Sequence, residues 1–453
     1  MMNNPVEIRS EKAIPVGYKN TELGLIPEDW DVINLNELAS FGGGTTPSRA
    51  LFDKYYSSGV HPWAKTLDLN NGAIWKTEEL VTDSALNETS LKKHKAGSVL
   101  IAMYGGFNQI GRTGLLKIDS AINQALVSIS PHKNKLTPEY LLYNLNYNVD
   151  YWKMVASSSR KDPNITSNDI KQYCLPLPSV AEQIAIANVL SDTDALITEL
   201  EHLISKKQAI KTATMQQLLT GNNRLPEFAK QPDGVLKSYQ PSELGIIPED
   251  WEIVTMGEMG ATYGGLSGKS KDDFGSGNSL YVPFTNIMAN VIVNVGLLER
   301  VNVHEVQNPV LPGDLLFNGS SEIPEEVCFC SLMSEDIDKL YLNSFCFGFR
   351  ANSQPKYIPL YLAYWFRSDA GRTAVSIMAQ GSTRYNISKS QFLKLKIVLP
   401  SKREQTAIAT ILSDMDAELA VLEKKLAKAR DIIQGMMQQL LTGRIRLPLD
   451  HMS

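Results

Sequence analysis

The chain is written twice. Leu23-Gly24-Leu25-Ile26-Pro27-Glu28-Asp29-Trp30 returns 221 residues on as Leu244-Gly245-Ile246-Ile247-Pro248-Glu249-Asp250-Trp251. Met215-Gln216-Gln217-Leu218-Leu219-Thr220-Gly221 returns 222 residues on as Met437-Gln438-Gln439-Leu440-Leu441-Thr442-Gly443. A unit of about 220 residues far exceeds the roughly 20–50 residues of solenoid repeats. The duplication therefore predicts two copies of one module and a pseudo-twofold symmetric object. Such an object suits a partner with approximate twofold symmetry of its own, of which duplex DNA is the commonest.

Length and composition narrow the class. At 453 residues the chain can carry two to four domains with full cores. A mean hydropathy of −0.16 and the lack of any apolar run near the roughly 20 residues of a membrane span predict a soluble chain with no membrane partner. Met1-Met2-Asn3-Asn4-Pro5-Val6-Glu7 has no basic-then-apolar pattern, so a cytoplasmic location is expected. Cys174, Cys328, Cys330 and Cys346 are few, and Cys328-Phe329-Cys330 has the wrong spacing for a zinc knuckle. No metal site is expected. The net charge of −5 counts mildly against nucleic acid, although affinity depends on where Lys and Arg sit.

Each copy has two parts. The first is a stretch of short β-branched and aromatic runs broken by glycine, such as Ser98–Tyr104 after Ala96-Gly97 and Asp314–Phe317 after Pro312-Gly313. It reads as a strand-rich mixed α/β domain. Landmarks recur at nearly constant offset: Asn123 with Asn343, Pro138 with Pro359, Tyr140 with Tyr361, Ile165 with Ile387. Between them the copies differ greatly.

The second part is helical and more alike. Leu177-Pro178-Ser179-Val180-Ala181-Glu182-Gln183 matches Leu399-Pro400-Ser401-Lys402-Arg403-Glu404-Gln405. Pro ends a strand, and Ser-x-x-Glu reads as a capping box with Glu reaching back to the cap. Gly221 and Gly443 stand where a C′ glycine would stop each helix. In the second helix Leu412, Leu419, Leu426, Ile433 and Leu440 repeat every seven residues, with Met415, Leu422, Ala429 and Met436 three later. The first has Leu190, Ile197, Ile204 and Leu218, broken by Lys211; its d positions are Thr193, Leu200, Lys207 and Thr214. The pattern fits a long helix on its own domain or two helices zipped together, and its length favours zipping. Pro226, Pro232, Gly234 and Pro241 mark a linker between the copies.

Two variable domains alternating with two similar helices, each entered by Leu-Pro-Ser-x-x-Glu-Gln and closed by Gln-Gln-Leu-Leu-Thr-Gly, resemble the DNA-specificity (S) subunit of type I restriction-modification systems. The resemblance spans essentially the whole chain. It implies an α+β fold with two mixed α/β target recognition domains, at 13–178 and 241–400. Separating them would be two long helices, at 179–226 and 401–448, forming an antiparallel coiled coil, with a linker at 227–240. Each recognition domain would read half of a bipartite, asymmetric target in double-stranded DNA. The helices would set the spacer and dock two adenine-methyltransferase subunits, which restriction/translocase subunits would join. The chain would be non-catalytic and bind no cofactor, with S-adenosylmethionine, ATP and Mg on its partners. A protein-binding scaffold without DNA readout is the rival reading.

Catalytic signatures are absent. No Asn-Pro-Pro-aromatic or Asp-Pro-Pro-aromatic segment occurs; Asn308-Pro309-Val310 is the nearest. Gly264–Ser270 resembles a Walker A loop, but Tyr263 holds the position of its first glycine.

Four pairs of segments are candidates for DNA contact. Gly43, Thr45, Thr46, Ser48 and Arg49 correspond to Gly265, Ser267, Lys269 and Ser270; such loops cradle phosphate through backbone N–H groups, or are plain turns. Ser159, Arg160 and Lys161 correspond to Gln380, Thr383, Arg384 and Tyr385. There Arg suits guanine and Gln adenine, unless the loops are merely solvated. Lys65, Thr66 and Asp68 correspond to Thr285 and Asn286, and Tyr104 to Asn318, at expected strand ends. Trp63, Trp75, Trp152 and Trp365 are expected in the core.

Overall fold

The computed structural model describes residues 14–106, 108–157, 164–381 and 383–448. It divides into two compact units. One joins the residues up to Leu200 to those from Lys425 onward; the other is Glu201–Lys424. Each unit thus owns the start of one long helix and the end of the other.

The first unit has a five-stranded sheet, in the order Ala39–Gly43, Leu126–Pro131, Val99–Ala102, Thr113–Leu116 and Ala73–Ile74. A four-stranded mixed sheet orders Glu79–Val81, His61–Ala64, Ser120–Ile122 and Lys93–His94. The second unit has a four-stranded sheet of Gly260–Gly264, Cys346–Ala351, Leu315–Asn318 and Cys330–Leu332. A three-stranded one of Glu299–Val301, Phe274–Val282 and Leu340–Leu342 accompanies it. Val99–Ala102 and Leu315–Asn318 are buried at every residue, which is why each reads as an unbroken run and not as an alternation. The turn before each needs a left-handed residue, supplied by Gly97 (φ +91) and Gly313 (φ +88). Helices Pro138–Tyr147 and Pro359–Arg367, each with Pro in the first turn, bury Tyr140 and Tyr361.

The repeated landmarks meet in one contact in each unit. The first long helix is Val180–Leu219 and the second Lys402–Leu440. Ser179 and Ser401 accept the N–H of Glu182 and Glu404 at 3.3 Å, as a cap should. The glutamates do not complete the expected box. Glu182 is buried and accepts Trp30 Nε1 at 3.1 Å and Arg446, which also grips Asp29 at 2.8 and 2.9 Å. Glu404 accepts Trp251 Nε1 at 3.3 Å and Arg224, which also grips Asp250 at 2.7 and 3.1 Å. Gly443 (φ +68) and Gly221 (φ +74) end the helices, where a Cβ would collide with Pro27 and Pro248. Tyr18 and Tyr239 donate to the carbonyls of those glycines. Gln183 and Gln405 each bridge the backbone before the buried tyrosine helix to the proline that ends the strand. The sequence motifs are therefore two sides of one clamp, made twice.

Within the first unit Ile186, Ala187 and Leu190 share a core with Ile433, Leu440 and Leu441, and Thr193 donates to Met436 Sδ. Within the second, Leu218 and Leu219 share a core with Ile408, Ala409 and Leu412. There Lys207 pairs with Glu418 and Lys211 with Asp416, so the partner number falls as the first rises and the helices run antiparallel. Leu412, Leu419, Leu422 and Ile433 are buried; Leu426, Ile197, Leu200 and Ile204 are half-buried. The lysines that break the apolar seam thus find carboxylates on the facing helix. The segment after Arg224 is itself hydrogen-bonded, from Lys237 N–H to the Ala229 carbonyl and from Lys237 Nζ to Asp250 at 2.7 Å.

Candidate nucleic-acid interface

Strand register sets the equivalence of the two units. Gly43 faces Val127 as Gly264 faces Phe347, and Ala102 faces Leu126 as Asn318 faces Cys346. Asn123 therefore corresponds to Asn343, Ala125 to Phe345, and Tyr104 to Ser320. Pairing Tyr104 with Asn318 by sequence is two residues out.

A four-residue turn recurs with the same bonds. In Asn123–Leu126 the Asn123 side chain accepts the Ala125 N–H at 3.1 Å, and its carbonyl accepts Leu126 at 3.2 Å. In Asn343–Cys346 the Asn343 side chain accepts Phe345 at 2.9 Å, and its carbonyl accepts Cys346 at 3.0 Å. The carbonyls of Ala125 and Phe345 accept Met103 and Gly319 at 2.8 and 3.0 Å. These are Asx turns pinned on both sides. Gly44 and Gly265 lie against them so closely that a Cβ would stand 2.0 Å from the Asn123 or Asn343 carbonyl oxygen. Gly265, expected in a phosphate cradle, is glycine because of that backbone approach. Gly43, also placed in that cradle, is exposed, with nothing near its absent Cβ.

The other loop residues are engaged internally. Thr45 meets Ser90 at 2.9 Å, and Thr46 donates to Gln124. Ser48 is exposed. Arg49 pairs with Glu79 at 2.6 Å over the Tyr56 ring, and Lys65 pairs with Glu78 and Glu79. Asp68 accepts the N–H groups of Lys65 and Glu78 at 2.7 and 2.8 Å, closing a local turn. In the second unit Gln307 brackets the backbone of Ser267, Lys269 pairs with Glu305 at 2.7 Å, and Ser270 caps a short 3-10 turn through Asp273. That turn, Lys271–Asp273, stands where a phosphate-binding loop would need a long helix, so the Walker resemblance ends there.

Three of the expected base-reading tips are buried. Thr66 is 7 % exposed, Asn286 1 % and Asn318 0 %. The Asn286 side chain is spent on Asn290 and Asn294, and Asn318 Nδ2 on the carbonyls of Ser320 and Glu326. The two asparagines shape loops, and all three side chains are turned inside. Thr285 and Tyr104 are exposed. Ser159, Arg160 and Lys161 lie outside the described residues. Trp63, Trp152 and Trp365 are core, whereas Trp75 is 69 % exposed.

The second unit does bring candidates together. Ser320-Ser321 pairs with Tyr385-Asn386, and Gln380 exchanges backbone bonds with Asn386, which brings Gln380 beside the strand that follows Thr383 and Arg384. Gln380, Thr383 and Arg384 are exposed there. Arg384 Nε donates to Ser320 Oγ at 3.0 Å, and its guanidinium lies 5.4 Å from the Phe345 ring centroid. Lys389 Nζ stands 3.2 Å from where a Gly264 Cβ would be. One edge thus gathers two cations, an amide, hydroxyls and an exposed aromatic, a set suited to phosphate and base edges. Phe345 and its neighbour across the repeat, the exposed Gln124, were missed in the sequence. Their only signal was position beside the Asn123 and Asn343 landmarks.

Among the described residues no helix is long and apolar enough to cross a membrane, and no group of three or more His, Cys, Asp or Glu is placed to hold a metal ion.

The family model of the type I restriction modification DNA specificity domain matches residues 27–212 and 248–429. The putative type I restriction enzyme MjaX specificity subunit of Methanocaldococcus jannaschii is 26% identical over 451 residues, 95% of this chain and 97% of that one. The MjaVIII specificity subunit of the same organism is 25% identical over 93% of this chain and 94% of its own. The solved type I restriction-modification S subunit from M. genitalium shares the fold, with a TM-score of 0.56 at 14% identity over 91% of this chain and 96% of that one. Two copies of the domain model on two units built alike show that the chain belongs to the type I restriction-modification DNA-specificity family, as a specificity subunit that recognises DNA sequence.

Proposed function

We propose that each unit reads one half of a bipartite, asymmetric DNA target. In this reading the long helices set the spacer, and the chain docks two adenine-methyltransferase subunits, through which restriction/translocase subunits join. The observation that carries it is one backbone frame dressed unequally. The clamps, the sheet register and the Asx turns repeat, while the side chains at the tip of that frame change from Gln124-Ala125 to Ser344-Phe345. Two identical partners need the repeated part, and two different half-sites need the varied part. Docking is further supported within the second unit by Leu203 and Ile210, seven residues apart on the first long helix and 39 % and 42 % exposed. The chain acts without catalysis of its own, and S-adenosylmethionine, ATP and Mg belong to the partners.

Methylome sequencing of a strain with this chain and its methyltransferase, against one lacking this chain, tests the reading. A bipartite adenine-methylated motif should vanish with it. A scaffold that binds only proteins would leave no motif to lose. Arg384→Glu should remove modification of that motif while the complex still assembles.

A further inference from the structure

Phe345 is the feature that the frame does not explain. The residue is 60 % exposed, whereas the equivalent Ala125 is 5 % exposed. A flexible loop would fold such a ring back against apolar surface. This one is held out, because the Asn343 side chain fixes its N–H, Gly319 fixes its carbonyl, and Gly265 clasps the carbonyl of Asn343 from the other side. Gly319 is also close enough that a Cβ would come 3.0 Å from the Phe345 oxygen, so both flanking strands are adapted to this turn. Arg384, anchored on Ser320, lies over the ring and gives the tip a cation beside an apolar face.

Resting on the reading that the second unit contacts DNA, we infer that Phe345 is a wedge inserted against a base step of the half-site that this unit reads, with Arg384 on the neighbouring phosphate or base edge. Apolar side chains that partly unstack a step, flanked by a cation, are a general way of gripping a duplex and of preferring easily opened steps. The first unit makes the same turn without the ring. Its Gln124 is the exposed side chain there, so one half-site is opened by an aromatic and the other is met by an amide.

The test uses the assembled methyltransferase complex and a duplex of the motif from the methylome. Phe345→Ala should bind that duplex roughly ten- to a hundredfold more weakly, with the salt dependence of binding kept, because a stacking contact and no phosphate contact is lost. Phe345→Tyr, which keeps the ring, should restore most of the affinity. Wild-type protein should raise the emission of 2-aminopurine at one step of that half-site, and Phe345→Ala should not. Thermal melting should be unchanged in both variants, since the ring contributes little buried surface. Equal affinity of Phe345→Ala and wild type, or weakened binding with no 2-aminopurine signal at any step of the half-site in wild type, overturns the wedge. Failure of the wild-type complex to prefer any duplex overturns the proposed function itself, which separates the two outcomes.

Discussion

Glu404 is 1 % exposed and shares its carboxylate between Trp251 and Arg224, whose own side chain is 4 % exposed. Arg224→Ala would strand that anion, at a cost of about 3–5 kcal/mol. Urea unfolding followed by tryptophan fluorescence measures it, and Arg224→Lys should restore little because the guanidinium serves two carboxylates at once. The same clamp makes acid the natural denaturant. Arg446 holds Asp29 below the usual carboxylate range; at Asp250 burial pushes upward but Arg224 and Lys237 outweigh it, and the group is also lowered. A carboxyl depressed on folding contributes stability above its unfolded value, near ~4, and loses it as pH falls through the folded value. Melting temperature should therefore fall below pH ~4, and fall less steeply in Arg224→Ala. Gly265→Ala should cost about 1–3 kcal/mol in the same unfolding assay, because its Cβ meets a backbone oxygen that a pinned turn cannot move.

The long helices show how a broken heptad is completed by its partner. Lys211 is 12 % exposed and meets Asp416, which also accepts Tyr364 Oη at 2.7 Å; Lys207 and Glu418 are 35 % and 49 % exposed. The repeat does not carry these two lysines over: the second copy places Ala429 and Ile433 where the first has Lys207 and Lys211. The polar pairs therefore belong to the second unit, and the first unit closes its seam with Ile433 and Leu440. Lys207→Ala should change stability by less than about 1 kcal/mol, as solvent screens the pair. Lys211→Ala should cost more, and a double-mutant cycle with Asp416→Asn should show the coupling.

At the scale of the molecule, two units with one frame should fail independently. Gln380→Ala with Arg384→Ala should relax one half of the methylated motif and leave the other half and the spacer unchanged, as read by methylome sequencing. Loss of both halves together would point to a damaged clamp. The net charge of −5 argued mildly against DNA, and the structure shows why it carried little weight. Arg49, Lys65, Lys237 and Lys269 are tied to carboxylates, while Arg384 and Lys389 stand exposed on a single edge.

The duplication, the helix starts and stops, and the heptad seam were legible in the sequence because each is a local rule of spacing and backbone chemistry. Ser179 and Ser401 cap, Gly221 and Gly443 turn left-handed, and the landmarks keep their offset. The partners of Glu182 and Glu404 were not legible, since the arginines that hold them follow the end of the other helix, 264 residues away in one case and 180 in the other. Nor was the proposed reading edge. Thr66, Asn286 and Asn318 looked like tips and are buried, whereas Phe345, an apolar ring of the kind that usually turns inward, is held out in solvent. Composition places a side chain on average; only the packing of distant strands decides which polar group is spent inside and which apolar one is left to meet a partner.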